Sequence, residues 1–526
     1  MQLPDPELAF ARMFDDHHEE IAEGLVLQEA TIAQLAAAMA GGRLTAEVLV
    51  DRYLDRVRRL DRAGPRLCSV IEVNPDARNI AAALDRERRE RGPRGPLHGI
   101  PILLKDNLDT GDRMQTTAGS LALVGTPSPH DSSVAARLRL AGAVLLGKAN
   151  LSEWANFRSD RSTSGWSARG QQCRNPYVTD RNPCGSSSGS AVAVSANLCA
   201  AAIGTETDGS IVCPATACGV VGIKPTVGLV SRAGVVPVSH SQDTVGPHGR
   251  TVADAALVLD AITGIDPRDP ATAASEGRSH HDYAALLTPD GLRGARIGVA
   301  RSTGFGASPK ADAVIEKAIL AMREAGATIV DPADIPTQAQ LGGADELAVL
   351  LHEFRHDLNA YLATRTGVPI RTLADAIAFN RSHAGEELTW FGQERFLAAE
   401  ATTGLDDPAY LEALARGRRL SREEGIDAVL REHRLDALVA PTGGPAWTID
   451  LVDGDHVGTA SSTPAAQAGY PIVTVPAGFS HGLPVGVSFI GAAFTEPTLI
   501  RLAFAFEQAT RARRSPEFLP TIPLPA

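Results

Sequence analysis

Apolar residues along this chain change their spacing several times, and each change marks an element. Between residues 31 and 64 they recur at three and four, the spacing of one buried helical face. A first helix opens at Thr31, which forms a capping box with Gln34, and stops at Gly41-Gly42. A second starts at Thr45, buries Leu49, Tyr53, Val57 and Leu60, and ends at Gly64-Pro65. From about 70 to 300 short apolar runs alternate with helical stretches: strands at 70–73, 100–104 and 144–146, helices at 76–91 and 131–141. That alternation predicts an α/β sheet with crossover helices. Residues 310–440 read as more helical and polar, and strands return at 437–440, 472–475 and 485–490. No repeat, low-complexity tract or linker interrupts the pattern, so one domain over 1–526 is expected. Within it lie N-terminal helices at about 31–64, a core at about 97–250 and a helical insert at about 340–435.

Composition narrows the function. A chain of 526 residues exceeds the size at which one core usually stops growing, so it is a large α/β enzyme or several units. The formal charge of -12 argues against a nucleic-acid partner, which would need basic patches to displace counterions. No run of eighteen apolar residues exists, so no membrane partner is expected. The opening MQLPDPELAFARMFDDHHEE lacks the basic start and apolar stretch of a secretory signal, which predicts a cytoplasmic location. Six cysteines are too sparse for a disulfide scaffold and none has zinc-ligand spacing, so reduced thiols and no metal are expected.

Of the 50 basic residues only five are lysines, at 105, 148, 224, 310 and 317. Only lysine can lose its proton near neutral pH when desolvated, so a lysine in an apolar run invites inspection. Lys105 ends such a run, His98-Gly99-Ile100-Pro101-Ile102-Leu103-Leu104-Lys105-Asp106-Asn107, where it is either a strand-end charge paired with Asp106 or a desolvated base. Two Gly/Ser segments accompany it: Cys184-Gly185-Ser186-Ser187-Ser188-Gly189-Ser190 and Gly204-Thr205-Glu206-Thr207-Asp208-Gly209-Ser210. Each runs into a helix-compatible stretch, 191–202 and 211–217, where unpaired backbone N–H groups can hold a developing oxyanion. Neither is a phosphate loop, because no lysine follows the second glycine. Ordinary capped turns remain an alternative for each. So does a nucleophile elbow at Ser187, although the required preceding strand is replaced by a Pro-rich loop.

Together these segments resemble the amidase signature family. The likeness extends through Ile223-Lys224-Pro225-Thr226, Gly228-Leu229-Val230-Ser231, Ser241-Gln242-Asp243-Thr244-Val245-Gly246-Pro247 and Thr251-Val252-Ala253-Asp254. Leu151-Ser152-Glu153-Trp154-Ala155-Asn156-Phe157 and Gly165-Trp166-Ser167-Ala168-Arg169-Gly170 look most like the bacterial peptide amidases. The resemblance implies a large mixed β-sheet core covered by helices on both faces, and no cofactor. It implies Ser210 as nucleophile, Ser186 as a bridging serine in a cis peptide bond, and Lys105 as ultimate base. The separation 210 − 186 = 24 is that of the family pattern. The N–H groups of Thr207, Asp208, Gly209 and Ser210 would form the oxyanion hole. Asp208 stands where many members carry glycine, and its side chain is expected to turn away and be hydrogen-bonded.

No cation follows Ser210, since Ile211-Val212-Cys213 comes next, which favours a neutral acyl group such as a C-terminal peptide amide. Trp154, Asn156, Phe157, Trp390, Phe391 and Gln393 are the expected pocket residues, because aromatic rings supply apolar area and the amides can bond a peptide backbone. A broad acylamidase and a catalytically silent scaffold of the same fold are the alternatives. The expected partner is a small-molecule or peptide amide, with the protein acting as monomer or homodimer.

Overall fold

The computed structural model describes residues 19–280 and 282–523. The reading of the N-terminus as free of a secretory signal falls mainly on residues outside these. A ribbon of β1 (Glu20–Ala22) and β2 (Leu25–Val26) precedes the two expected helices, Ile32–Ala40 and Ala46–Arg56. The capping box is formed in both directions: Gln34 N–H donates to Thr31 Oγ1 at 3.2 Å, and Thr31 N–H to Gln34 Oε1 at 2.9 Å. The second helix loosens into a π-helical turn over Val57–Arg62, with Leu49, Tyr53, Val57 and Leu60 all buried.

Eleven strands form one mixed sheet with helices over both faces. In chain order they are β3 (Val70–Val73), β4 (Pro101–Lys105), β5 (Val144–Ala149), β6 (Ala201–Glu206), β7 (Val221–Lys224), β8 (Thr244–Gly249), β9 (Arg296–Val299), β10 (Thr328–Val330), β11 (Ala437–Pro441), β12 (Ile472–Ser480) and β13 (Leu483–Ile490). Their order across the sheet is β10-β9-β11-β13-β12-β7-β8-β6-β4-β5-β3. β4 lies between β5 and β6, parallel to both, and all five of its residues are buried, which is why it reads as an unbroken apolar run rather than an alternation.

The stretch 191–202 departs from its helical expectation. A helix occupies Ser188–Ser195, but the alanines that follow enter β6. Alanine favours helix, yet here pairing with β4 on one side and β8 on the other overrides local propensity. β8 carries Pro247, which a central strand tolerates because β7 pairs with it only at His248 and Gly249.

Between β10 and β11 the chain makes the helical insert, with long helices at Gly343–Thr364 and Pro408–Ser421. It has its own apolar cluster, in which Phe354, Leu358, Leu362, Leu373 and Phe396 meet Trp154 and Phe157 of the core segment. Among the described residues no helix is long and apolar enough to cross a membrane.

Candidate active site

Because β4 and β6 run parallel, with Leu104 opposite Ile203, they leave the sheet at the same edge, where open α/β sheets hold ligands. β4 ends on Lys105. Its Nζ lies 2.7 Å from Ser186 Oγ, 2.8 Å from Thr205 Oγ1 and 3.3 Å from the Thr205 carbonyl. Complete burial pushes its pKa down to about 7, against the opposing pull of Asp243 and Glu206. A neutral amine has two N–H donors and one lone pair; Thr205 takes the donors and the lone pair is left for the Ser186 hydroxyl. Asp106 is not its partner: that carboxylate accepts from Thr117 and lies 3.3 Å from Arg169.

Scarcity of lysine does not by itself single out Lys105. Lys148 and Lys224 are also fully buried with lowered pKa, but both bond structural oxygens. Lys148 donates to the Leu108 carbonyl at 2.6 Å, and Lys224 to that of Tyr470 at 2.6 Å. What separates Lys105 is a serine hydroxyl as partner.

The serine loop is held by its own hydroxyls. Ser187 donates to the Thr205 carbonyl at 3.0 Å and accepts its N–H at 3.1 Å, which ties Ser187 to β6 and removes the nucleophile-elbow reading. Ser188 donates to Cys184 O at 2.6 Å and Ser190 to Ile203 O at 2.8 Å. Ser186 is left to Lys105, and the Gly185-Ser186 peptide bond is cis. A Cβ at 185 would lie 2.1 Å from Ser152 Oγ, so any larger residue there would displace the hydroxyl that accepts the Gly165 N–H.

Ser210 ends the turn between β6 and the helix Val212–Ala217. Gly209, at φ +81°, permits that turn. Glu206 accepts the N–H groups of Ile211 and Val212 at 2.7 and 3.0 Å, fixing the helix start behind the serine. Thr207 donates to Asp243 at 2.5 Å, while Asp208 accepts from Ser462 at 2.5 Å and Thr463 at 2.7 Å. No histidine is hydrogen-bonded to Ser210 among the described residues; buried His248 bonds the Ile211 carbonyl at 3.0 Å, and burial pushes its pKa down to about 4.

A pocket of about 320 Å³ opens over Ser210. Asn156 reaches it through an unusual backbone: Trp154, Ala155 and Asn156 have φ of 50°, 55° and 67°, three left-handed residues in succession, each costing roughly 1–2 kcal/mol. The buried Glu153–Arg158 pair at 2.9 Å and the Trp154 N–H to Ala118 O bond at 2.9 Å flank this run. Asn156 Oδ1 is buried without a hydrogen-bond partner among the described residues. From the insert, Glu346 reaches the pocket wall and accepts from Gln242 at 2.9 Å. Burial, then the charge of Asp208, push its pKa up to about 8.

The sequence profile of the Amidase family matches residues 49–500. The chain belongs to the amidase signature family. It is 46% identical over 501 residues to a probable amidase of Arabidopsis thaliana, covering 94% of this chain and 92% of that one. It is 36% identical over 493 residues to a glutamyl-tRNA(Gln) amidotransferase subunit from a Synechococcus strain, covering 91% and 92%. The solved structure of the native peptide amidase of Stenotrophomonas maltophilia is similar, with 55% identity, coverage of 93% and 99%, and a TM-score of 0.89. This amidase-signature protein is therefore a hydrolase of amide C–N bonds.

Of the expected pocket residues the amidase brings only Asn156 and Phe157 to the pocket wall. Trp154 turns into the insert's cluster, edge-on to Phe396 at 5.6 Å. Phe391 packs against Trp166 at 5.0 Å and under the Arg158 guanidinium at 4.3 Å. Gln393 is spent on Asn380 and the Ile377 carbonyl, and Trp390 is 43% exposed to solvent outside the pocket. Asp208 is hydrogen-bonded as expected, yet it also lines the pocket.

Two features escaped the sequence reading. Cys184 and Cys213 form a disulfide with Cα atoms 5.9 Å apart, which corrects the expectation of reduced thiols for that pair. Their positions, two before Ser186 and three after Ser210, were the available signal, since both serines were expected in one site. Glu346 had no signal, because its neighbour Asp208 lies far away in the chain.

Proposed function

We propose that this amidase hydrolyses neutral C-terminal peptide amides to the acid and ammonia through a Ser210–Ser186–Lys105 relay. The observation that carries the chemistry is the 2.7 Å contact between a fully buried Lys105 and Ser186, with the lysine's pKa near 7. Ser210 Oγ attacks the carbonyl carbon as its proton passes to Ser186 Oγ, whose own proton passes to Lys105 Nζ. The tetrahedral oxyanion takes the N–H groups of the 207–210 turn, each well-placed donor contributing roughly 3–4 kcal/mol. Collapse breaks the C–N bond while the relay returns the proton to the leaving nitrogen, which departs as ammonia. Water then repeats the sequence on the acyl-enzyme.

Supporting the substrate choice is the high identity to a peptide amidase over nearly all of both chains. Ile211, Val212 and Cys213 place no cation beside the nucleophile, and the one arginine at the pocket wall, Arg395, is paired with Asp160 at 2.7 Å. A substrate carboxylate would therefore enter unneutralised. The unpaired Asn156 Oδ1 suits a peptide N–H. The test compares ammonia release from a peptide amide with cleavage of the same peptide extended by one residue bearing a free carboxylate. Equal or better kcat/KM for the extended peptide sinks the peptide-amide reading and leaves the amidase assignment standing.

A further inference from the structure

A second cavity, of about 620 Å³, shares no lining residue with the substrate pocket. Four arginines reach it: Arg232, Arg278, Arg418 and Arg422. Asp269 is the only carboxylate in its lining, and Arg232 takes it through Nη2 at 2.7 Å and Nε at 2.9 Å. Its remaining capacity goes to the backbone N–H groups of Arg232 and Ala271. Among the described residues, Arg278, Arg418 and Arg422 have no ion-pair partner. Arg278 sits over the Phe494 ring at 5.3 Å, and Arg422 over Tyr470 at 5.7 Å. Arg422 Nε donates to the Ala468 carbonyl at 2.7 Å, which leaves its terminal nitrogens for the cavity.

The unmatched charge runs against the rest of the molecule. In a chain of formal charge -12, three guanidinium groups without an ion-pair partner among the described residues converge on one concavity, where only the more distant charges of Glu423 and Asp427 act on Arg422. Arg418 and Arg422 are close enough to repel: burial, then the Arg418 charge, hold the Arg422 pKa below the usual arginine range. Guanidinium is also the planar donor that best matches carboxylate and phosphate oxygens.

We propose that this cavity is a binding site for a small organic or inorganic oxyanion carrying two or more negative charges, of phosphate or carboxylate type. Its anionic groups bond Arg278, Arg418 and Arg422, and Phe494 and Tyr470 contact its body. The site also has a route to the chemistry. The helix Thr463–Ala468 begins with the hydroxyl that holds Asp208 and ends with the carbonyl that Arg422 holds, so one short helix touches both cavities.

Calorimetric titration of the full chain with pyrophosphate and, separately, citrate tests the proposal. One saturable site per chain is expected, weakening as sodium chloride screens it. Arg278→Gln with Arg418→Gln should weaken binding tenfold or more, because two charge-assisted contacts are lost. Both side chains are solvent-exposed, so the variant should keep the parent melting temperature. Arg293→Gln, an exposed arginine paired with Asp290 elsewhere, should bind as the parent does. Saturation by pyrophosphate alone identifies a phosphate site, by citrate alone a carboxylate site, and by both the shared chemistry. No saturable heat with either anion up to about 10 mM, a concentration that would reveal even millimolar affinity, overturns the proposal. So does undiminished binding by the double variant.

Discussion

The floor and the wall of the substrate pocket are built on different terms. The floor consists of the segments around Lys105, Ser186 and Ser210, where most polar atoms are satisfied within a few residues or across one strand pair: Ser187 and Ser190 bond β6, and Glu206 caps the turn that follows it, while Asp208 alone is held from far along the chain by Ser462 and Thr463. Part of the wall comes from the helical insert, through Glu346, Leu350 and Arg395, and which of the insert's side chains face the pocket is settled by packing against distant parts of the chain. Glu346 faces in, beside Asp208, while Trp390 and Phe391, which local composition favoured, face solvent and Arg158. The contrast teaches that the segments proposed to carry the chemistry are legible locally, whereas the side chains that line the pocket are set by tertiary packing.

The largest effect should come from the floor. Ser210→Ala is expected to abolish turnover, and Lys105→Ala and Ser186→Ala to lower kcat by about 10³-fold or more, as when members of a nucleophile–base unit are removed. Lys148→Met and Lys224→Met are the internal control, for these lysines bond only structural oxygens. Their folded fraction, measured by circular dichroism, should fall, while kcat per folded active site stays within a few-fold. A Lys148 variant that folds fully yet is as inactive as Lys105→Ala would show that burial, rather than the serine contact, marks the base.

The same contrast explains what was legible in the sequence. The capping box at Thr31 and the strand ending at Lys105 rest on local rules, and both are found in the structure; the motif that sets Lys105 beside Ser186 agrees with their 2.7 Å contact. β6 was missed because its alanines carry no strand signal, and only β4 and β8 make it a strand. The disulfide was missed because the count of six cysteines in a long chain argues against pairing, and only the placement of Cys184 beside Ser186 and of Cys213 beside Ser210 pointed to it. Whether the insert and the sheet are one cooperative unit, as the unbroken pattern predicts, is read by limited proteolysis. Nicked chains should stay together until denaturant is added, and two fragments that separate in buffer would refute the one-domain expectation.

Next in size is the covalent tie across the floor. The Cys184–Cys213 bridge joins the loops of Ser186 and Ser210 across a separation of 29 residues. Constraining a loop of that length in the unfolded chain contributes about 3–4 kcal/mol. Cys184→Ala with Cys213→Ala should lose that amount in urea unfolding, with a slightly steeper slope because the unfolded chain is released from the cross-link. The four remaining cysteines are free, so a reductant should lower the parent's stability and leave the double variant's unchanged.

A pH profile joins floor and wall. Lys105 must be neutral to accept a proton, so kcat/KM should rise as pH passes through about 7. Glu346 is raised to about 8, so above that pH a second carboxylate appears beside Asp208 and opposes the oxyanion. At an effective dielectric near 20 and a separation of several ångströms this repulsion is roughly 2 kcal/mol, and kcat/KM should fall more than tenfold on the alkaline side. Glu346→Gln should keep the acid limb and flatten the alkaline one. If Glu346→Gln leaves the alkaline limb in place, the fall belongs to another group and the wall takes no part in it.

The smallest effects separate the two kinds of pocket residue. Asn156 lies in the core segment beside the insert, stands at the end of the left-handed run and presents a buried carbonyl without a partner among the described residues, whereas Trp390 lies on the insert and is 43% exposed. Losing one hydrogen bond to a neutral peptide N–H costs about 0.5–1.5 kcal/mol. Asn156→Ala should therefore raise KM for a peptide amide about three- to tenfold, with kcat changed less. Trp390→Ala should leave KM within twofold, because an exposed ring outside the pocket gives the substrate no area to bury. Labelling of Ser210 by a small fluorophosphonate, which reaches the nucleophile without using the acyl pocket, should proceed at parent rate in both. A KM that moves with Trp390 and not with Asn156 would mean that the insert closes over the substrate, bringing Trp390 into contact only when the site is filled.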